Sequence, residues 1–138
     1  MTRVAVATTS QLAADGANEV AELGGNAVDC ALAAALTTMN TEPGVCALAG
    51  SAFVTIWQPD SDPVTIDGKV AVPGHGGPET ERGRGATSVT LDYGGGITTL
   101  VGSGSVAVPG SLAAIERAWQ LFGSARWADL FVPVIRAT

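Results

Sequence analysis

Apolar residues in this chain switch between two spacings. Val4 to Ala7 is a short run rich in β-branched residues and predicts a strand. Ser10 then caps a helix running to about Leu23, with Leu12, Ala13, Gly16, Val20 and Leu23 on its buried stripe. Gly24-Gly25 supplies the left-handed stop, and Asn26 opens a second helix with Asp29 in its first turn. That helix is apolar nearly all round as far as Thr37-Thr38, so burial on most sides is expected. Ser51 to Gln58 and Val64 to Ile66 predict two strands joined by the polar, proline-bounded loop Pro59–Pro63, hence an antiparallel pair. From Pro73 to Gly96, 8 of 24 residues are glycine, which predicts a long irregular loop. It leaves room for a short strand within Thr87–Tyr93, and Ile97–Val101 is a further strand candidate. Pro109-Gly110-Ser111 starts a helix with Leu112, Ile115, Trp119 and Phe122 on one face, stopped by Gly123. Trp127, Leu130, Phe131, Val134 and Ile135 continue at helical spacing, and Pro133 kinks or divides that last helix. The expectation is one domain over residues 1–138, of mixed α/β (α+β) class. The chain stops within this last pattern, which suggests a fragment of something longer.

Composition narrows the class. With 46% apolar and 14% charged residues among 138, the chain folds around a core rather than remaining disordered. A net charge of -6 and the absence of a basic cluster argue against nucleic acid as a partner. The apolar run Ala27–Leu36 contains Asp29 and is too short to span a bilayer, so no membrane partner is expected. No signal peptide is visible, so a cytoplasmic location is the default; a secreted or periplasmic protein stripped of its leader would read alike. Cys30 and Cys46 belong to no CxxC pair and read as two reduced, buried thiols.

Candidate chemistry is sparse. No HExxH, GxxxxGK[ST] or GxSxG motif occurs, so no metal or nucleotide cofactor is expected. His75, the single histidine, lies in the glycine-rich stretch and reads as a solvated loop side chain. Gly102-Ser103-Gly104-Ser105-Val106-Ala107 fits a dinucleotide fingerprint, but Pro109-Gly110 delays the helix and no acidic residue closes a second strand downstream. Lys69, the single lysine, follows Asp67-Gly68 at the end of a strand. It is either a solvated lysine pairing loosely with Asp67, or a cation placed to hold a substrate carboxylate.

Five segments in order resemble the large subunit of the γ-glutamyltranspeptidase family: Gly24-Gly25-Asn26-Ala27-Val28-Asp29 with its alanine-rich helix; Glu42-Pro43 with Leu48-Ala49-Gly50-Ser51-Ala52-Phe53; Ile66-Asp67-Gly68-Lys69; Val108-Pro109-Gly110-Ser111; and Phe122-Gly123 with Trp127 to Ile135. The resemblance runs from about Val6 to the C-terminus. It implies part of an αββα N-terminal-nucleophile hydrolase sandwich, with helices packed on a mostly antiparallel sheet. It implies a precursor that cleaves itself, freeing a threonine at the start of a small catalytic subunit. That threonine attacks a γ-glutamyl or related amide, such as glutathione, with its own α-amine as base. The resemblance therefore places the small subunit beyond residue 138 and leaves no catalytic residue, Thr2 included, in this chain. Lys69 stands where the family has the arginine that binds the substrate's α-carboxylate, and Val70 where a glutamate usually follows. Lysine is a point charge without the bidentate fork, and the glycine segment before Phe53 is diluted. These departures turn the expectation toward the family's amidase and acylase branches. They also leave open a non-catalytic remnant acting as a binding or structural domain.

Overall fold

The computed structural model describes residues 3–74 and 76–138; Thr2 and His75 lie outside them. Four helices and two β-hairpins form, in the order α1 (Gln11–Glu22), α2 (Ala27–Thr41), β1 (Ala52–Ile56), β2 (Val64–Gly68), β3 (Ala86–Leu91), β4 (Ile97–Gly102), α3 (Ser111–Phe122) and α4 (Val132–Arg136), with short 3-10 turns between. This is the α+β class expected.

Helices α1 and α2 make a helical hairpin around a core of small side chains. Ser10 caps α1 through its side chain, and Gly24 takes the left-handed conformation at its end (φ 93°). The buried residues of α1 are Ala13, Gly16, Ala17 and Val20; Leu12 and Leu23, expected on the stripe, are at least half exposed. The reason is helix separation: alanine and glycine permit a closer approach than leucine, so the contact line runs through Ala17. From α2, Cys30, Leu32, Ala33 and Leu36 complete the core, with Ile115 and Ala118 of α3, Leu130, and Val134 of α4. The last helix is divided, as one of the two expected outcomes. Trp127–Phe131 is a 3-10 turn, and Pro133 sits in the first turn of α4, where its missing N–H costs nothing. Ile135, expected on the buried face, is exposed.

Strands β1 and β2 pair antiparallel with Val54 opposite Ile66. Ala52, Val54, Ile56, Ile66 and Gly68 turn toward the body, while Phe53, Thr55, Thr65 and Asp67 face outward and are exposed.

Two expectations, on Val4–Ala7 and on Cys46, are corrected, and a third is met. Val4–Ala7 forms no strand: Val4 and Val6 pack on the core, but no described strand pairs with the segment. In the Pro73–Gly96 stretch the strand candidate within Thr87–Tyr93 is realised as β3, which pairs with β4 from Ala86↔Gly102 to Leu91↔Ile97. Gly94, Gly95 and Gly96 supply the turn, all with positive φ. Both cysteines are free, but only Cys30 is fully buried; Cys46 is half-buried.

Candidate functional site

Three of the motif segments, far apart in sequence, meet at the start of α3. Gly110 and Ser111, whose N–H groups begin that helix, both donate to the carbonyl of Gly50 at 3.1 Å. The Ser111 hydroxyl donates to the carbonyl of Leu48. Gly68, at the end of β2, presses on the same point. A Cβ there would stand 2.5 Å from the Ala114 Cβ and 2.7 Å from the Gly110 carbonyl oxygen, so only glycine fits. A little further along, Ala71 and Val108 exchange two backbone hydrogen bonds, of 3.1 and 2.8 Å.

Lys69 stands on this junction with an exposed side chain. Its own N–H donates to Asp67 Oδ1 at 2.8 Å, and the N–H of Val70 donates to Ser51 Oγ at 3.0 Å. The ammonium enters no ion pair among the described residues. The loose pairing with Asp67 is therefore replaced by a different contact, in which that carboxylate holds the lysine's backbone. Val70 begins one wall of an open cleft of about 510 Å³, also lined by Val72, Ser88, Leu100 and Val106. Neither Asp67 nor Ser51 was read from the sequence as an acceptor for the backbone around Lys69. The Asp-Gly-Lys spelling is a local signal for a side chain closing a turn on the N–H two residues on. Ser51 lies 19 residues from its partner and left no such trace.

The Gly24–Asp29 segment has a different task. Asn26 and Asp29 form a capping box: Asn26 Oδ1 accepts from the N–H groups of Val28 and Asp29, and Asp29 Oδ2 accepts from the N–H of Asn26 at 2.9 Å. Asp29, fully buried, also accepts from the N–H and hydroxyl of Ser124 and from the N–H of Ala125. Asn26 Nδ2 donates to the Phe122 carbonyl at 2.7 Å. The pair thus clasps the C-terminus of α3 to the N-terminus of α2, a long-range role beyond the helix-dipole role read from sequence. Burial, and then the charge of Asp29, push the adjacent Cys30 thiol up.

The dinucleotide fingerprint at Gly102–Ala107 opens no helix: Ser103–Ser105 is a 3-10 turn packed against Gly83-Arg84-Gly85. Among the described residues, no group of three or more His, Cys, Asp or Glu could hold a metal ion, and no helix is long and apolar enough to cross a membrane.

With this geometry in place, comparison with known proteins is decisive for the family. The family model for Gamma-glutamyltranspeptidase matches residues 13–138. This chain belongs to the γ-glutamyltranspeptidase family. Among curated relatives it is similar to a glutathione hydrolase proenzyme 1 of Schizosaccharomyces pombe, at 30% identity over 95% of this chain and 19% of that protein. It is also similar to a glutathione hydrolase proenzyme of Pseudomonas aeruginosa, at 31% identity over 95% of this chain and 22% of that protein. Among solved structures, the γ-glutamyltranspeptidase of Pseudomonas nitroreducens complexed with L-DON superposes with a TM-score of 0.71 at 30% identity, covering 96% of this chain and 37% of that one. The chain thus spans about a fifth of the length of the curated relatives it matches.

Proposed function

We propose that residues 1–138 form one structural unit, the N-terminal part of the large subunit of an enzyme that hydrolyses or transfers γ-glutamyl or related amides. The unit supplies scaffold and one anchoring cation, Lys69. A threonine on a separate small subunit supplies the nucleophile. Its hydroxyl adds to the amide carbonyl while its α-amine takes the proton, and donors on that subunit hold the oxyanion. The amine departs with a proton, and water or an acceptor amine then takes the acyl group. This chain alone is then inactive, and the reaction needs no metal or organic cofactor.

The observation that carries this reading is the placement of Lys69. The Asp67-Gly68-Lys69 segment, which resembles the family's carboxylate-binding segment, ends in an exposed cation that enters no ion pair among the described residues. The outward face of the first hairpin supports it too: Phe53 there is 62% exposed, and Trp57, just past β1, is 78% exposed. Apolar surface of that kind suits a covering subunit.

The test uses the complete precursor. Self-cleavage and release of amine from a γ-glutamyl anilide are expected. Lys69→Ala should raise KM by a factor of roughly 5 to 150, the equivalent of about 1–3 kcal/mol for a charge-assisted contact. An unchanged KM would remove Lys69 from the site, and an inert, uncleaved precursor would favour the non-catalytic remnant.

A further inference from the structure

We infer that Asp67 and Ser51 are positioning residues for Lys69: they immobilise the peptide groups on both sides of its Cα and so hold its ammonium ready for an external carboxylate. The inference rests on the reading of Lys69 as the carboxylate anchor and deepens it.

Lys69 combines two properties that do not usually go together. Its side chain is exposed and enters no ion pair among the described residues, yet its backbone is held on three sides. The N–H before its Cα donates to Asp67 Oδ1 at 2.8 Å, and the N–H after it donates to Ser51 Oγ at 3.0 Å. Its carbonyl lies against Gly110, where a Cβ would stand 2.8 Å from the Lys69 oxygen. Both acceptors belong to side chains near the surface, so water could satisfy these N–H groups if they were removed. Fold closure at this point is already carried by the Gly68–Gly110 contact and the Ala71–Val108 bridge. What the two side chains add is rigidity at one residue. Lysine's flexible four-carbon stem makes its ammonium costly to order. With the Cα fixed beforehand, a ligand has only the side chain left to order, which is how preorganisation raises affinity.

The contact predicts a pattern that a purely structural role does not produce. In the complete, processed protein assayed with a γ-glutamyl anilide, Asp67→Ala and Ser51→Ala should each raise KM by about threefold to tenfold, with kcat and the thermal midpoint little changed. Asp67→Asn keeps an acceptor oxygen in the same place and should restore KM to within about twofold of the parent. On a Lys69→Ala background, Asp67→Ala should add nothing, because it acts only through the lysine. Three results overturn the inference while leaving the anchor reading intact: Lys69→Ala raises KM but Asp67→Ala and Ser51→Ala do not; Asp67→Asn fails like Asp67→Ala; or the Asp67 effect adds in full to that of Lys69→Ala. An unchanged KM for Lys69→Ala sinks both. Should Asp67→Ala prevent processing, Ser51→Ala and its double variant with Lys69→Ala decide by the same criteria.

Discussion

Removing the Asp29 carboxylate tests the clasp that joins the first and last thirds of the chain. In Asp29→Ala the N–H groups of Asn26, Ser124 and Ala125 and the Ser124 hydroxyl lose a charged acceptor that they contact at 2.8–3.0 Å. Hydrogen bonds to charged groups contribute about 1.5–3 kcal/mol each, so a simple sum over four reaches about 6–12 kcal/mol. Two effects reduce it. Ser124 is partly exposed, so its freed donors return to water, and the unfavourable burial of a carboxylate is relieved. The remaining cost comes from the Asn26 and Ala125 donors and the space left beside Gly123, where an added Cβ would sit 2.8 Å from Asp29 Oδ1. With about 1–3 kcal/mol for each of these two partly buried N–H groups left without an acceptor, a net loss of about 2–6 kcal/mol follows. At about 0.05–0.15 kcal/mol per residue, this is a large part of the stability of a chain this size. The assay is equilibrium urea denaturation followed by tryptophan fluorescence. The reporters sit at the joint: Trp119 Nε1 donates to the Ala125 carbonyl at 2.8 Å, and the Trp119 and Trp127 rings lie 5.2 Å apart. Asp29→Asn, which keeps the volume and one acceptor, should lose about half as much. A loss below about 1 kcal/mol for Asp29→Ala would show that the clasp does not hold the two helices together.

Other consequences follow from the same packing. Gly68→Ala should destabilise the chain by about 3 kcal/mol, because two of the atoms its Cβ meets are backbone carbonyl oxygens that cannot swing away; a thermal melt unchanged by the substitution would contradict that contact. Cys46 should react with a disulfide reagent in the native state while Cys30 reacts only on unfolding; equal rates would refute the burial difference. Because the folded state raises the Cys30 pKa, its thiol binds its proton more tightly folded than unfolded. Stability from this group is therefore complete below the ordinary thiol range and falls as pH rises through it. Cys30→Ala should flatten that alkaline fall.

The helices were legible because their signals are local: Ser10 and Asn26 as caps, Gly24 as a stop, and the 3.6 period between them. The first hairpin was legible from its alternation and its polar loop. The buried stripes were read less well. Leu12, Leu23, Leu112 and Ile135 carry the hydrophobicity but stand exposed, while Ala13, Ala17, Ala114 and Ala118 make the close contacts. Small side chains set the contact line, and Val20, Ile115 and Val134 are the larger apolar residues of these helices that lie along it. Val4–Ala7 has strand composition, yet composition cannot supply the neighbour that makes a strand. At the site, Lys69 was singled out through its position in an ordered set of motifs, whereas the side chains that hold its backbone were not. The task of Asp29 beyond its own helix was not legible, because the donors it serves lie 95 and 96 residues away.

The central claim is that this chain holds a carboxylate while another polypeptide does the covalent chemistry. The most direct measurement is to quench the complete, processed protein in acid during turnover of a γ-glutamyl anilide and map the acylated residue by peptide mass spectrometry. The acyl group is expected on a threonine at a newly formed N-terminus outside residues 1–138. An acyl group on any residue within 1–138 would contradict it.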